Sequence, residues 1–599
     1  MAILQLSLAV LVIALTYHYM TKSPPRIVLD RYPDDVYDYV IVGGGSAGSV
    51  LASRLSEEKD FKVLLLEAGS HYDVNKGLHI PLMQMSAFNT SNDWEYYTEP
   101  SQDSCYGQKK NRCYWPRGRV LGGTSILNGA IYTRGSRFDF EEWFRSGCYG
   151  WSYEDVFPYF LKSEDIQIDD LKSSPYHSKG GPIAVSESYV TQLSDKYLKA
   201  GEELGYPVQD YNGKNLEGFS VIQKTIRNGV RSSTSLEYLG GTASRENLHI
   251  SVNSHVTKVN IVDKKAVGVY YIRDGRKMYV KVRKEVILSG GAVNSPQLLM
   301  LSGIGPKHHL NEFGIKVISD LPVGENLQDH TMILLKSNIN KPYSLTPGII
   351  KSWRSIVNYF MFGDGPLAFT LLDSTAFLHF DKEKSGKTYP DMQLTFVSGL
   401  LRSNAFNFND EVARSIINKM DNDLHGFITS ITLSRPLSRG RIKLKSSDPF
   451  DHPRIEPNYN SDKRDIKAYV KAIRIWEKLM ETNTFKDLGV KISDAKMPFC
   501  ERFKFRSDEF WECVVRKVLQ TVFHPTGTCK MGSANNPTAV VDPQLRVKGI
   551  QGLRVVDASI FPNITSGNTN GPTIMVAEKA ADMIRGIDSV KQFRQNVPV

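Results

Sequence analysis

The stretch Tyr37–Glu57 reads "YDYVIVGGGSAGSVLASRLSE", and it constrains the fold more tightly than any other part of the chain. The largely apolar run "DYVIVG" has the pattern of a parallel strand covered on both faces. It ends in G-x-G-x-x-G at Gly43, Gly45 and Gly48. The first glycine permits a tight turn, the second lets a pyrophosphate approach the backbone, and the third lets helix and strand pack closely. From Ser46 onward, Ala47, Val50, Leu51 and Leu55 recur at helical spacing, so a new helix aims its free N–H groups at the phosphates. A second apolar run, "FKVLLLEAG", ends in Glu67, 19 residues beyond Gly48. A carboxylate there can take the ribose hydroxyls of an adenosine half. Structural glycine turns alone do not explain strand, turn, helix, strand and acid in register; a dinucleotide site does. Glu67 argues against NADP, whose extra phosphate calls for arginine, and leaves NAD and FAD open.

With 599 residues the chain has room for two domains or one large composite. Its net charge is +10, but 74 basic residues are set against 64 acidic ones along the whole length. No run of five Lys or Arg occurs, so nothing beyond the isoelectric point suggests nucleic acid. The first 21 residues carry no charged side chain and centre on "LAVLVIAL", Leu8–Leu15. That core matches a signal-peptide h-region better than the roughly 20 apolar residues of a membrane span. The expectation is a cleaved signal and a secreted protein, with a retained membrane anchor as the alternative. Cys105 and Cys113 lie eight apart and Cys500 and Cys513 thirteen apart, pairs able to close short loops in an oxidising compartment. Cys148 and Cys529 are left over. No metal site is expected, since neither CxxC nor a histidine pair at ligand spacing occurs. "NTS" at Asn89 and "NIT" at Asn563 are N-glycosylation sequons, the second expected to be hidden.

A second ligand-facing loop is "WPRGRVLGGTSILNGAIYTRG", Trp115–Gly135. Gly118, Gly122, Gly123, Thr124 and Ser125 supply N–H and hydroxyl donors, and Asn128 a carboxamide able to pair with a heteroaromatic edge. With "GAVNSPQLLMLSGIG", "LPVGENLQDH", "SRGRIKL", "HPTGTCKMG", "GLRVVDASIFP" and "GNTNGPTIMVAEKAADMI" following in order, the chain resembles the glucose–methanol–choline (GMC) flavin oxidoreductases over residues 37 to 587. The pattern is most similar to the family's animal glucose dehydrogenase branch, with choline dehydrogenases a near neighbour. The resemblance implies an α/β fold. A doubly wound, Rossmann-like FAD domain is built from residues 37–150, 223–332 and 546–590. A second, α+β substrate domain with an antiparallel sheet comes from 151–222 and 333–545. It also implies non-covalent FAD. Gly43, Gly45, Ser46, Gly48, Glu67, Arg119, Gly122, Gly123, Thr124, Asn128, Val256, Asp557, Ala558 and Asn570 are its expected contacts. Members that attach FAD covalently do so through a histidine just before this asparagine, and Leu127 stands there instead.

Chemistry is expected at the C-terminal end. The resemblance places His524, before Pro525, and Asn568 opposite the flavin as the family's His–Asn pair. A neutral imidazole with an ordinary pKa of about 6.5 can take the hydroxyl proton of an alcohol near neutral pH. Asn568 can hold the oxygen without competing for that proton. The implied reaction is hydride transfer from the CH–OH carbon of a sugar, sterol or other small alcohol to flavin, with electrons passed to a quinone-like acceptor or O₂. Choline-type oxidation and a redox-neutral hydroxynitrile lyase are the alternatives. His330 is expected to fix a turn, His255 to be structural, His308 and His309 to be on the surface, and Cys529 to be a small buried residue. Gly129 and Ala130 stand where close animal members often carry bulkier residues, which leaves room beside the ring. Substrate choice is expected to reside between about Pro342 and Asp423. Oligomeric state is not legible.

Overall fold

The strand Val36–Val42 lies buried at the centre of a seven-stranded sheet. On one side it pairs in parallel with Val63–Leu66, which pairs in parallel with Leu248–Ser251. On the other it runs parallel to Arg276–Leu288, whose last residues also pair in parallel with Leu553–Val555. Ser254–Val262 and Lys265–Arg273 extend this sheet as an antiparallel meander on Arg276–Leu288. The computed structural model describes residues 27–30, 33–71, 77–101, 104–400, 406–417, 424–492, 497 and 499–591. The apolar leader Leu8–Leu15 lies outside them.

Two glycines of the opening motif act through sterics. Gly43 has φ +99°, and a Cβ there would meet the Ser289 carbonyl at 2.5 Å. A Cβ on Gly48 would sit 1.8 Å from the Gly43 carbonyl oxygen, so helix Ser46–Leu55 can lie on its strand only with glycine there. A second helix, Asn570–Arg585, packs in register alongside it. The Ser46 hydroxyl donates to Asn570 Oδ1 (2.9 Å) at one end, and Arg54 grips Glu578 through Nε and Nη2 (2.9 and 2.8 Å) further along. The two helices therefore start side by side at the same edge of the sheet.

The second sheet also has seven strands and every pairing in it is antiparallel. Its order is Lys491–Ile492, Thr331–Asn338, Gly426–Leu433, Met392–Val397, Leu372–Leu378, Gly218–Val221, with Gln520–Thr521 also on Thr331–Asn338. Helix Lys463–Met480 covers one face, burying Tyr469, Ile473 and Trp476. The other face projects alternate residues into a cavity: Met332 and Leu334, Gln393, Thr395 and Val397, Ile428, Ser430 and Thr432. An α/β Rossmann-like unit with a second, antiparallel sheet is the architecture expected from the sequence.

Both expected cysteine pairs are disulfides, Cys105–Cys113 and Cys500–Cys513. Cys148 and Cys529 are free and buried, and burial raises both thiol pKa values. Asn89 is exposed, whereas Asn563 is half-buried and donates to Glu142 (2.9 Å). His308 is exposed as expected, but His309 is not: it is 3% exposed, and its Nε2 accepts the Leu444 N–H at 2.9 Å. A polar pair at the start of a six-residue helix reads as surface; the second histidine turns inward to satisfy a backbone donor.

Candidate active site

A cavity of about 660 Å³ runs between the two sheets. Gly43, Gly45, Ser46, Glu67, Gly123, Thr124, Asn128, Val256, Asp557, Ala558, Asn568, Asn570 and His524 all line it. Three expected contacts stand behind this wall instead. Gly48 packs helix on strand, as described. Gly122 has φ +99° and faces Ser235 and Ile126, so its work is the turn that delivers Gly123. Arg119 stacks on Trp94, 5.1 Å from the ring centroid, and acts on Glu67 only through its charge.

At one end of the cavity the Glu67 carboxylate accepts the N–H groups of Gly44 and Gly69, both at 2.8 Å. Burial nevertheless pushes its pKa up to about 7. Hydroxyl donors of a ribose would compensate that cost. Beside it, Gly45 faces Gly123: a Cβ on Gly123 would sit 2.7 Å from the Gly45 Cα, so the two strips of bare backbone form a slot. Helices Ser46–Leu55 and Asn570–Arg585 both point their N-termini here, with no acidic residue in either first turn. Free N–H groups and two positive helix ends are what a pyrophosphate requires. Asp557 accepts from Gly291 N (2.8 Å), Ser295 Oγ (2.6 Å) and Ser559 N (2.8 Å), which anchors the start of helix Gly291–Leu301 on the cavity wall.

Toward the other end, Asn128 departs in detail from its expected role. Its Oδ1 already accepts from Ala130 N (3.0 Å) and Arg231 Nη1 (2.8 Å), so only its NH₂ is left to donate into the cavity. Arg231 is fully buried, and its Nε and Nη2 have no partner among the described residues. Burial lowers its pKa to about 10. A buried cation with no counter-ion among the described residues, one side chain away from the cavity, suits a ring that takes on negative charge on the other side of Asn128. With glycine slot, carboxylate and amide in line, the residues present fit a dinucleotide.

His524 is delivered by a strained loop. Phe523 before it has φ +68°, rare for a bulky side chain. Buried Asp329 holds the loop by accepting His524 N (2.8 Å) and Thr521 Oγ1 (2.6 Å), and Arg117 donates to the Phe523 carbonyl. The turn-fixing role expected of His330 needs correction. His330 is fully buried beside His524, the two Nδ1 atoms 3.0 Å apart. Its Nε2 lies 2.8 Å from the Ser434 carbonyl, which can only accept, so Nε2 carries the proton. Nδ1 of His330 is then the acceptor, and His524 must donate Nδ1–H to it. That leaves Nε2 of His524 bare. It faces Asn568 Nδ2 at 3.1 Å, while Asn568 Oδ1 accepts from Gln393 Nε2 (3.4 Å) on the antiparallel sheet.

This relay assigns every proton in the row. Burial first, then the charges of His330 and Arg117, hold the His524 pKa well below 6.5, and burial lowers His330 to about 4. Both rings are neutral near pH 7. The part of His524 that remains accessible faces the cavity. Sequence reasoning missed His330, Gln393 and Arg231. "NLQDH" and "NGVRSST" do carry two of them, but nothing in those strings reveals a neighbour 194 or 103 positions away. Leu127, where a covalent anchor would stand, lines the cavity and offers no nucleophile. His255 also lines it, edge-on to Trp94.

Comparison with known proteins matches residues 37–332 and 436–577 to the N- and C-terminal parts of the GMC oxidoreductases. The chain is 42% identical over 567 residues to glucose dehydrogenase (FAD, quinone) of Drosophila pseudoobscura pseudoobscura, covering 94% of this chain and 89% of the relative. It is 37% identical to the mitochondrial choline dehydrogenase of Mus musculus, covering 94% and 92%. Among solved structures, a formate oxidase of Aspergillus oryzae RIB40 superposes with a TM-score of 0.81 at 30% identity, covering 93% and 99%.

Proposed function

The chain belongs to the GMC oxidoreductase family, and from that premise we propose how its residues oxidise an alcohol. The protein is an FAD-dependent oxidoreductase acting on the CH–OH group of its substrate. When bound, FAD supplies the hydride acceptor. Gly45, Ser46, Gly123 and the start of helix Asn570–Arg585 hold its phosphates, and Glu67 takes its ribose. Nothing at Leu127 can tether it, so the association is non-covalent.

The single observation that carries the catalytic reading is the tautomer relay. With Nδ1–H of His524 donated to His330, the lone pair of Nε2 accepts the Asn568 N–H at the cavity wall, a bond that an entering hydroxyl would replace. A substrate hydroxyl entering there donates its proton to His524 Nε2 and accepts the Asn568 N–H. His524 is thus the general base, and Asn568 orients the oxygen and stabilises the negative charge that develops as the proton leaves. Gln393 keeps the amide turned so that its NH₂ faces the imidazole. His330 fixes which nitrogen is basic.

The wall around this point supports a substrate with a hydrocarbon body. Met332, Leu334, Val397, Leu400, Phe406 and Phe523 outnumber Gln393, Thr395, Ser430 and Thr432. A fully hydroxylated sugar would leave several hydroxyls against apolar side chains. We read the acceptor as quinone-like, following the fly relative's name, with O₂ as the alternative. Export is the reading that suits two disulfides. An anaerobic screen of alcohols against the purified protein tests the function. Loss of the oxidised-flavin absorption band on adding an alcohol is expected, at lower concentrations for apolar primary and secondary alcohols than for glucose. A band that no alcohol bleaches would refute it.

A further inference from the structure

Helix Trp353–Phe362 is built the wrong way round for a surface helix. Its buried side chains are Ser355 and Tyr359, one turn apart. The adjoining stripe, at i, i+3 and i+7, is Trp353, Ile356 and Phe360, 70%, 43% and 39% exposed. Exposed Ile349, in the preceding turn Pro347–Ile350, and exposed Met83 and Met85, in Pro81–Ala87, extend the apolar surface; these turns and the helix all pack on Pro366–Ala368. Met85 and Lys351 are exposed and also line the cavity, so the cavity opens within this patch.

Charge identifies what covers it. Residues 341–363 contain Lys341, Lys351 and Arg354 and no Asp or Glu. The Arg354 guanidinium lies over the Trp353 ring, 5.6 Å from its centroid. Scattered exposed apolar residues need no explanation, but a contiguous stripe beside a ligand opening does. An apolar helix face flanked by cations, with tryptophan at its edge, has the build of a helix lying in a lipid–water interface. We propose that this face docks on the surface of an anionic bilayer, with Trp353, Ile356 and Phe360 in the acyl boundary and Lys351 and Arg354 among the headgroups. Docking sets the cavity mouth against the membrane, so an amphiphilic alcohol or a lipid-soluble acceptor reaches the site without crossing water. The proposal does not rest on the catalytic reading, because vesicle binding is measured without turnover.

The test is co-sedimentation of the full-length holoprotein with phosphatidylcholine vesicles, with and without phosphatidylserine. Binding to the phosphatidylserine vesicles is expected, roughly tenfold weaker without the anionic lipid or at high salt. The triple variant Trp353→Ser, Ile356→Ser, Phe360→Ser should bind at least about tenfold more weakly while turning over a water-soluble alcohol normally. Arg354→Glu, a milder change at an exposed position, should lose a few-fold of binding, and only on anionic vesicles. Undiminished binding by both variants would overturn the proposal and pass the role to Leu8–Leu15. Wild-type protein that stays in the supernatant, or a lipid-free dimer that the triple variant dissociates, would overturn it as well.

Discussion

The two walls of the cavity work by different chemistry. The parallel-sheet wall presents backbone: the Gly45–Gly123 slot, the N–H groups of two helix starts, and Glu67 held by two further N–H groups. The antiparallel wall presents side chains, every second residue of three neighbouring strands. A backbone wall recognises what every member of a cofactor class shares. A side-chain wall can be altered one residue at a time without disturbing the sheet behind it. The catalytic pair sits where the walls meet: Asn568 precedes a helix of the first, His524 is braced by His330 at the edge of the second, and Gln393 reaches across.

The difference can be tested by damaging each wall in turn. Gly45 has φ −77°, which any residue adopts, and a Cβ there meets nothing closer than Gly123 Cα at 3.8 Å. Gly45→Leu should therefore fold, fill the slot and purify colourless, with all activity lost; a normal flavin spectrum would contradict the cofactor assignment. His524→Ala should keep its flavin and lose about 10²–10⁴ in kcat/KM, read by steady-state kinetics alongside an unchanged visible spectrum.

His330→Leu removes the acceptor of the His524 proton, and a loss of roughly 10–100-fold is expected, the span typical of groups that orient a histidine. Its pH profile is the more telling readout. Only neutral His524 can accept a proton, and its pKa is depressed, so in the parent the acid limb of kcat/KM lies well below pH 6.5. His330→Leu removes a neutral acceptor and leaves in place the burial that depresses His524, so that limb should stay well below pH 6.5 while the rate falls. The smallest effect is expected on the side-chain wall. A Cβ on Gly129 would already meet Leu372 Cδ1 at 2.7 Å, so Gly129→Tyr must displace that side chain. It should change the ranking of alcohols several-fold with the flavin spectrum intact; an unchanged ranking would remove Gly129 from any account of specificity.

The walls also differ in how far they could be read in advance. Gly43, Gly45, Gly48 and Glu67 were legible because a cofactor-binding turn needs those residue types at those intervals, all within 25 positions. Arg119 and Gly122 sit in the right loop, but spacing alone does not tell a wall residue from one just behind it. The antiparallel wall was barely legible. Strands such as Met392–Val397 alternate in which face they show, but both faces are buried, one against helices and one against the cavity, so polarity does not mark the side that matters. His330 was under-read for a related reason. Its importance comes from a ring contributed 194 residues later, and no local pattern encodes that meeting.

The most direct test is a crystal structure of the yellow, purified protein. The flavin's adenosine half is expected at Glu67 and the reactive edge of its ring between Asn128 and the His524–Asn568 pair, with His330 still within hydrogen-bond reach of His524. A flavin lying elsewhere, or a ring whose hydride-accepting nitrogen is remote from both His524 and Asn568, would contradict that placement.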